Sequence, residues 1–179
     1  STAAVGWFMT LLGTIRSPTR CPSTARSCAG RSAGRSAGNG RVHPLSLAPA
    51  TVGDLSAADV VECAAAAGFQ LVGVRPVDPL GERAAVAAAL RRTGLTLLDL
   101  EYVRVMPGPL TDDQLRTADT AAELGARFLL VVSDDPDRGA TAAKLAALVD
   151  RLTGSPTVPA LEFMAFTQVR RLTDAVGLA

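Results

Sequence analysis

An α/β fold of parallel strands with helices between them is predicted by three observations. Apolar runs with strand character recur about every 30 residues from position 42 onward, the length of one strand–helix unit. Those runs are nearly continuous, which implies burial on both faces and so a parallel sheet covered by helices. Glycine at 68, 94, 125 and 154 closes each helical segment before the next run, and glycine is the residue that ends a helix in the left-handed conformation at least cost.

The elements follow in order. Val42–Ala48 (VHPLSLA) reads as the first strand. Ser56–Ala67 reads as a helix, with Ser56 as N-cap and Gly68 as its stop. Gln70–Arg75 (QLVGVR) is the second strand, and Gly81–Thr93 an Ala/Leu/Arg helix stopped by Gly94. Leu95–Val105 (LTLLDLEYVRV) is a long third strand. Thr111–Leu124 opens with a Thr-Asp-Asp cap and ends at Gly125. Ala126–Val132 is the fourth strand, Gly139–Leu152 a helix, Thr157–Met164 the fifth strand, and Thr167–Val176 begins a fifth helix.

Two architectures accommodate this pattern: an open doubly wound sheet, and part of an eight-unit βα-barrel. No G-x-G-x-x-G follows a strand and no Walker A pattern occurs, so the nucleotide-binding doubly wound folds lose support. Eight units take roughly 240 residues. Residues 42–179 number 138, room for between four and five units, so a barrel here is expected to be a partial one.

The chain has 179 residues and is 48% hydrophobic but only 4% aromatic, so its core is expected to be Ala, Leu and Val. Its net charge of +1 hides an asymmetry. Residues 1–41 hold six Arg and no acid; the other 12 of the 18 basic residues face all 17 acids, giving the body a net charge of −5. An acidic body argues against nucleic-acid binding, which wants a basic face. Three cysteines (21, 28 and 63) form neither a disulfide framework nor a zinc knuckle. Cys63 reads as a buried small hydrophobe, and the body as cytoplasmic.

The first 41 residues form a separate, disordered leader. Val5–Ile15 is apolar but too short to span a bilayer. The Arg/Ser/Gly/Ala stretch after it cannot bury enough apolar surface to offset chain entropy. A basic arm for an anionic partner, a targeting peptide, and an upstream extension foreign to the natural protein are the competing readings.

Individual residues stand out at the ends of the strands, where parallel α/β folds place their chemistry. Glu162 lies near the C-terminal end of the fifth strand; the alternative is a solvated strand-end acid. If Leu98 and Leu100 face the helices, Asp99 and Glu101 share the other face. Two acids pointing into a barrel are costly unless they sit near its rim. Glu101 is a site candidate, or a polar rim residue paired with an arginine. Arg75 ends the second strand, placed to hold a phosphate or carboxylate, or to form a salt bridge with a neighbouring loop acid. His43, the only histidine, is a substrate-binding candidate, although it starts its strand and so falls on the face read as structural. Ser133-Asp134-Asp135-Pro136 reads as rim residues or, with more support, as ordinary turn chemistry.

Three segments resemble the sugar phosphate isomerase/epimerase family, the xylose isomerase-like TIM barrels. Gly68-Phe-Gln-Leu-Val-Gly-Val-Arg75 looks like that family's second strand and Glu123-Leu-Gly-Ala-Arg-Phe-Leu-Leu-Val131 like its fourth. Val158-Pro-Ala-Leu-Glu-Phe163 is similar to its fifth, whose glutamate is usually a ligand of a divalent metal. The resemblance spans about residues 42–179 and implies a partial (β/α)8 TIM barrel. It also implies metal-dependent proton transfer beside the carbonyl of a sugar or sugar phosphate, through an enediolate. Mn²⁺ or Mg²⁺ would polarise the oxygens and carboxylates would move the protons. Glu162 would be catalytic and a metal ligand, Glu101 catalytic, and Arg75 and His43 substrate-binding. The remaining Asp, His and Glu ligands belong to strands six to eight of such barrels, which would follow Ala179. With one histidine the chain cannot build the His-rich multi-metal site of the endonuclease IV-like branch. Competing expectations are a non-catalytic remnant and a half-barrel completed by a second copy, a homodimer.

Overall fold

A computed structural model describes residues 44–178. The expected leader and His43 lie outside the described residues. Five strands form one sheet: β1 (Ser46–Leu47), β2 (Leu71–Val74), β3 (Thr96–Val105), β4 (Phe128–Ser133) and β5 (Val158–Leu161). Between them run α1 (Ala57–Ala66), α2 (Pro79–Thr93), α3 (Asp112–Glu123) and α4 (Arg138–Arg151), with a short α5 (Leu172–Val176) at the end.

The strand order is β1-β2-β3-β4-β5, and every neighbouring pair is parallel. This order separates the two architectures. A doubly wound sheet reverses its direction of growth at a switch point and carries helices on both faces. Here each unit adds to the same edge, so right-handed crossovers put every helix on one face. Ion pairs between consecutive helices record the same order: Arg92 of α2 to Glu62 of α1 at 2.6 Å, Arg83 of α2 to Glu123 of α3, and Arg151 of α4 to Asp119 of α3 at 2.7 Å. All are exposed and contribute at most about 1 kcal/mol each. This is the curl of a partial TIM barrel.

Local chemistry sets the helix ends. Ser56 caps α1 by accepting from the Asp59 amide (3.2 Å), and Thr111 and Gln114 form a reciprocal capping box on α3. Pro79 occupies the first turn of α2, where its missing N–H costs nothing. Gly68, Gly94, Gly125 and Gly154 all have φ between 69° and 89°, as their positions predict. The core between helices and sheet is Val, Leu and Ala: Val61 and Ala64 of α1, Val86 of α2, Ala121 of α3 and Leu148 of α4 against Val72, Val74, Leu100, Val103, Leu129 and Val131. Each fully buried Val or Leu contributes about 2 kcal/mol. No described helix is long and apolar enough to cross a membrane.

Three expectations need correction. Of the seven residues expected in the first strand, 42 and 43 lie outside the described residues, and of the rest only Ser46–Leu47 form strand. Leu98 does not join the core; Leu97 and Leu100 do. The β2–β3 register slips between Val72 and Gly73, which inserts one residue and turns Leu98 away from the helices. The fifth strand stops at Leu161 and its helix starts only at Leu172. Residues between them fold back instead: Met164 N–H donates to Val169 O (2.9 Å), Thr167 Oγ1 bonds both Met164 O and Val169 O, and Gln168 N–H reaches Ser133 O (2.9 Å) at the end of β4.

Candidate functional site

With α1 to α4 on one face, no described helix between the strands covers the other face of the sheet. Register places Leu71, Gly73, Asp99, Phe128 and Val158 on it, and Val158 is half exposed. Glu162 follows the last residue of β5, held at the strand end by its N–H bond to Val131 O (2.8 Å). It therefore stands at the C-terminal rim, as its position predicts. Glu101 sits in β3. Its carboxylate accepts from Arg75 Nε (2.8 Å) and from Arg75 Nη2. The Arg75 guanidinium also lies 5.3 Å from the centre of the Tyr102 ring. The pairing expected of each residue is thus met in one contact, although the acid that Arg75 finds lies within β3 rather than in a loop.

Asp99 joins them from below. It is 5% exposed and accepts no hydrogen bond from any described residue. It stands beside Gly73 in register, and a Cβ on Gly73 would lie 2.6 Å from Asp99 Oδ2. A side chain there would overlap the carboxyl, so the glycine makes the room the acid occupies. Burial, reinforced by the negative charges of Glu101 and Glu162, pushes Asp99 up from 3.8 to about 7. Burial likewise raises Glu162, with repulsion from Glu101 adding to it and Arg75 partly offsetting it. Three carboxyls and one arginine therefore share one electrostatic neighbourhood, and two of the acids are shifted toward neutrality. With its carboxyl at about 7, Asp99 can both accept and return a proton near physiological pH.

Asp99 is the residue that sequence reasoning left without a role. Two signals pointed to it: the Asp-x-Glu spacing, which puts both acids on one face, and a glycine in the middle of an apolar strand, which marks a close approach. The turn after β4 has a structural part. Asp134 pairs with Arg104, and Asp135 is buried against Lys144, the only lysine of the chain, at 2.6 Å. Lys144 Nζ also reaches Met106 O at 2.6 Å, tying the β3–α3 loop to α4. The Lys144 hydrogen bond holds the Asp135 carboxyl below its ordinary value.

A cleft of about 410 Å³ lies between the β2–α2 loop and α3, walled by Pro76, Pro79, Leu80 and Arg116. It shares Glu101 and Tyr102 with the acid cluster but touches neither Asp99 nor Glu162, so it adjoins the cluster without containing it.

Among solved structures, the chain is similar to protein SMc04130 from Sinorhizobium meliloti 1021, with a TM-score of 0.66 and 22% identity over 77% of this chain and 59% of that one. It is also similar to a xylose isomerase-like TIM barrel/4-hydroxyphenylpyruvate dioxygenase fusion protein, with a TM-score of 0.55 and 21% identity over 74% of this chain and 24% of that one. The fold is a partial xylose isomerase-like TIM barrel. No family model matches the sequence, and no curated protein matches it. The chain spans about three-fifths of the first structure and a quarter of the second. In this barrel Arg75 and Glu162 lie at the C-terminal ends of β2 and β5, the end where such folds carry chemistry, whereas Glu101 lies within β3 and Asp99 deeper still, level with the first residues of β4 and β5.

Glu162, the ligand expected for a divalent cation, is partly buried and accepts no side-chain hydrogen bond from a described residue. Among the described residues no three His, Cys, Asp or Glu side chains are grouped to hold a metal ion. The described donors therefore do not make up a metal centre.

Proposed function

We propose that this chain carries the proton-transfer carboxylates of a sugar isomerase or epimerase. The observation that supports this reading is Glu162, just past the end of β5 at the C-terminal rim of a partial barrel, with Glu101 and, deeper along β3, Asp99 in its electrostatic neighbourhood. A carboxylate facing the carbon next to a carbonyl removes its proton and leaves an enediolate. Returning the proton to the neighbouring carbon interconverts aldose and ketose; returning it to the opposite face of the same carbon inverts that centre. Glu162 is the proposed base, and Glu101, oriented by Arg75, the second proton-handling group. Arg75 also marks the outer edge of the substrate. A divalent cation, if one serves this site, takes Glu162 as a ligand and the rest of its donors from beyond the described residues; no step above runs through it.

The test is exchange of solvent deuterium into carbon-bound positions of a panel of aldoses, ketoses and their phosphates, followed by proton NMR, with and without Mn²⁺ or Mg²⁺. Exchange that disappears in Glu162→Gln supports the reading. Equal exchange by both proteins, or none with any sugar, refutes it. Isothermal titration of Mn²⁺ into the two proteins tests the metal separately, and equal heats remove Glu162 as a ligand.

A second reading, association of two copies, is favoured by the half-exposed Val158 on the uncovered face and by outer edges of β1 and β5 that no described strand covers. Light scattering on the size-exclusion peak decides it by mass.

A further inference from the structure

Asp78 occupies the N-cap of α2, where an aspartate ordinarily accepts from an amide of the first turn. Its carboxylate makes no such bond. Glu82 closes this turn instead, accepting from Val77 N–H (2.7 Å) and Asp78 N–H (3.1 Å). Gly81 leaves the idle carboxylate its space, since a Cβ there would lie 2.4 Å from Asp78 Oδ2. Asp78 borders the cleft of about 410 Å³ between the β2–α2 loop and α3, a size that suits a small ligand. The other charged walls of that cleft are already matched: Glu101 pairs with Arg75, and Asp113 with Arg116. One negative charge is left over among them, that of Asp78. Leu80 and Tyr102 supply an apolar border, and they stand 46% and 37% exposed.

We propose that this cleft binds a small organic monocation, a primary ammonium on an apolar body, with the ammonium on Asp78 and the body against Leu80 and Tyr102. The chemistry of the walls sets that class. An ammonium brings donors and no acceptor, which is what a carboxylate without a partner takes, and the bond between two charged groups is of the stronger kind. Tyr102 adds an aromatic ring, a group that favours cations and already has the Arg75 guanidinium 5.3 Å from its centre. The apolar body removes the exposed surface of Leu80 and Tyr102 from water. An anion meets the uncompensated charge of Asp78, and a neutral analogue forfeits the charged bond. A metal ion finds a single unpaired carboxylate here, too few oxygen donors to replace its water. Because the cleft touches neither Asp99 nor Glu162, this site stands apart from the isomerase/epimerase reading and does not depend on it.

The experiment titrates phenethylamine, phenethyl alcohol and phenylacetate separately into the full chain at neutral pH, by calorimetry and by the amide shifts of Leu80 and Thr117. The three probes share one ring and differ in charge. Expected are binding of the amine about tenfold tighter than of the alcohol, weaker binding still of phenylacetate, and shifts of both amides on addition of the amine. Asp78→Asn should bind the amine about tenfold more weakly and the alcohol unchanged, whereas Glu162→Gln should leave amine binding as it is. No binding of the amine, equal affinity for amine and alcohol, unmoved Leu80 and Thr117 amides, or unchanged amine affinity in Asp78→Asn overturns the proposal. A loss in Glu162→Gln as large as in Asp78→Asn places the cation on the acid cluster and overturns it equally. Should Asp78→Asn not fold, Gly81→Ala takes its place, because its methyl group displaces the carboxylate; amine affinity equal to that of the native chain is then the refuting result.

Discussion

Replacing Asp99 by asparagine should change how the stability of the chain depends on pH. In the unfolded chain the carboxyl titrates near 3.8, and in the folded chain at about 7. Between those values the folded state binds the extra proton, so stability falls as pH rises through this window and levels off above it. The full difference corresponds to about 4 kcal/mol, a large share of the roughly 5–15 kcal/mol that holds a domain folded. It is an upper bound, because water on the uncovered face relaxes around the ionised form. Glu162 is shifted in the same direction and adds a smaller slope of the same sign. Asp135 is shifted downward, so its contribution is present at neutral pH and is lost only in acid below this window. Asp99→Asn removes the main slope. It should match the native chain near about pH 4 and exceed it near about pH 8, by up to about 4 kcal/mol. Urea unfolding followed by circular dichroism at stepped pH measures both curves. Native stability that is flat or rising between about pH 5 and about pH 8, with the variant running parallel, would refute the account of Asp99 as a buried, unpaired acid.

Three further outcomes follow from the same structure. Gly73→Ala should destabilise by about 1–3 kcal/mol through overlap with the Asp99 carboxyl, and the loss should shrink in the Gly73→Ala/Asp99→Ala double variant; additive losses in the two singles would separate the residues. Lys144→Met should lower the melting temperature and free the β3–α3 loop, because Asp135 is left buried without its cation and Met106 O without its donor; faster amide exchange over 106–110 is the second readout. Thr111→Ala removes one side of the α3 capping box and should cost about 1 kcal/mol in urea unfolding, with no effect on ligand titrations.

The linear sequence determined the succession of elements. Four glycines, the Ser56 and Thr111 caps and the apolar runs act within a few residues of themselves, so they are readable one segment at a time. The rim position of Glu162 was readable for the same reason: it needs only the direction of one strand. Tertiary structure decided what depends on residues some 25 positions apart. The choice between barrel and doubly wound sheet rests on which edge each strand joins, and no local pattern encodes an edge. The slip between Val72 and Gly73 exchanged Leu98 for Leu97 in the core, an outcome of pairing rather than of alternation. It also set Gly73 beside Asp99, 26 residues along the chain. That adjacency turns an aspartate left without a role by sequence reasoning into a buried acid without a described partner, because burial and charge are properties of the space around a residue and not of its neighbours in sequence.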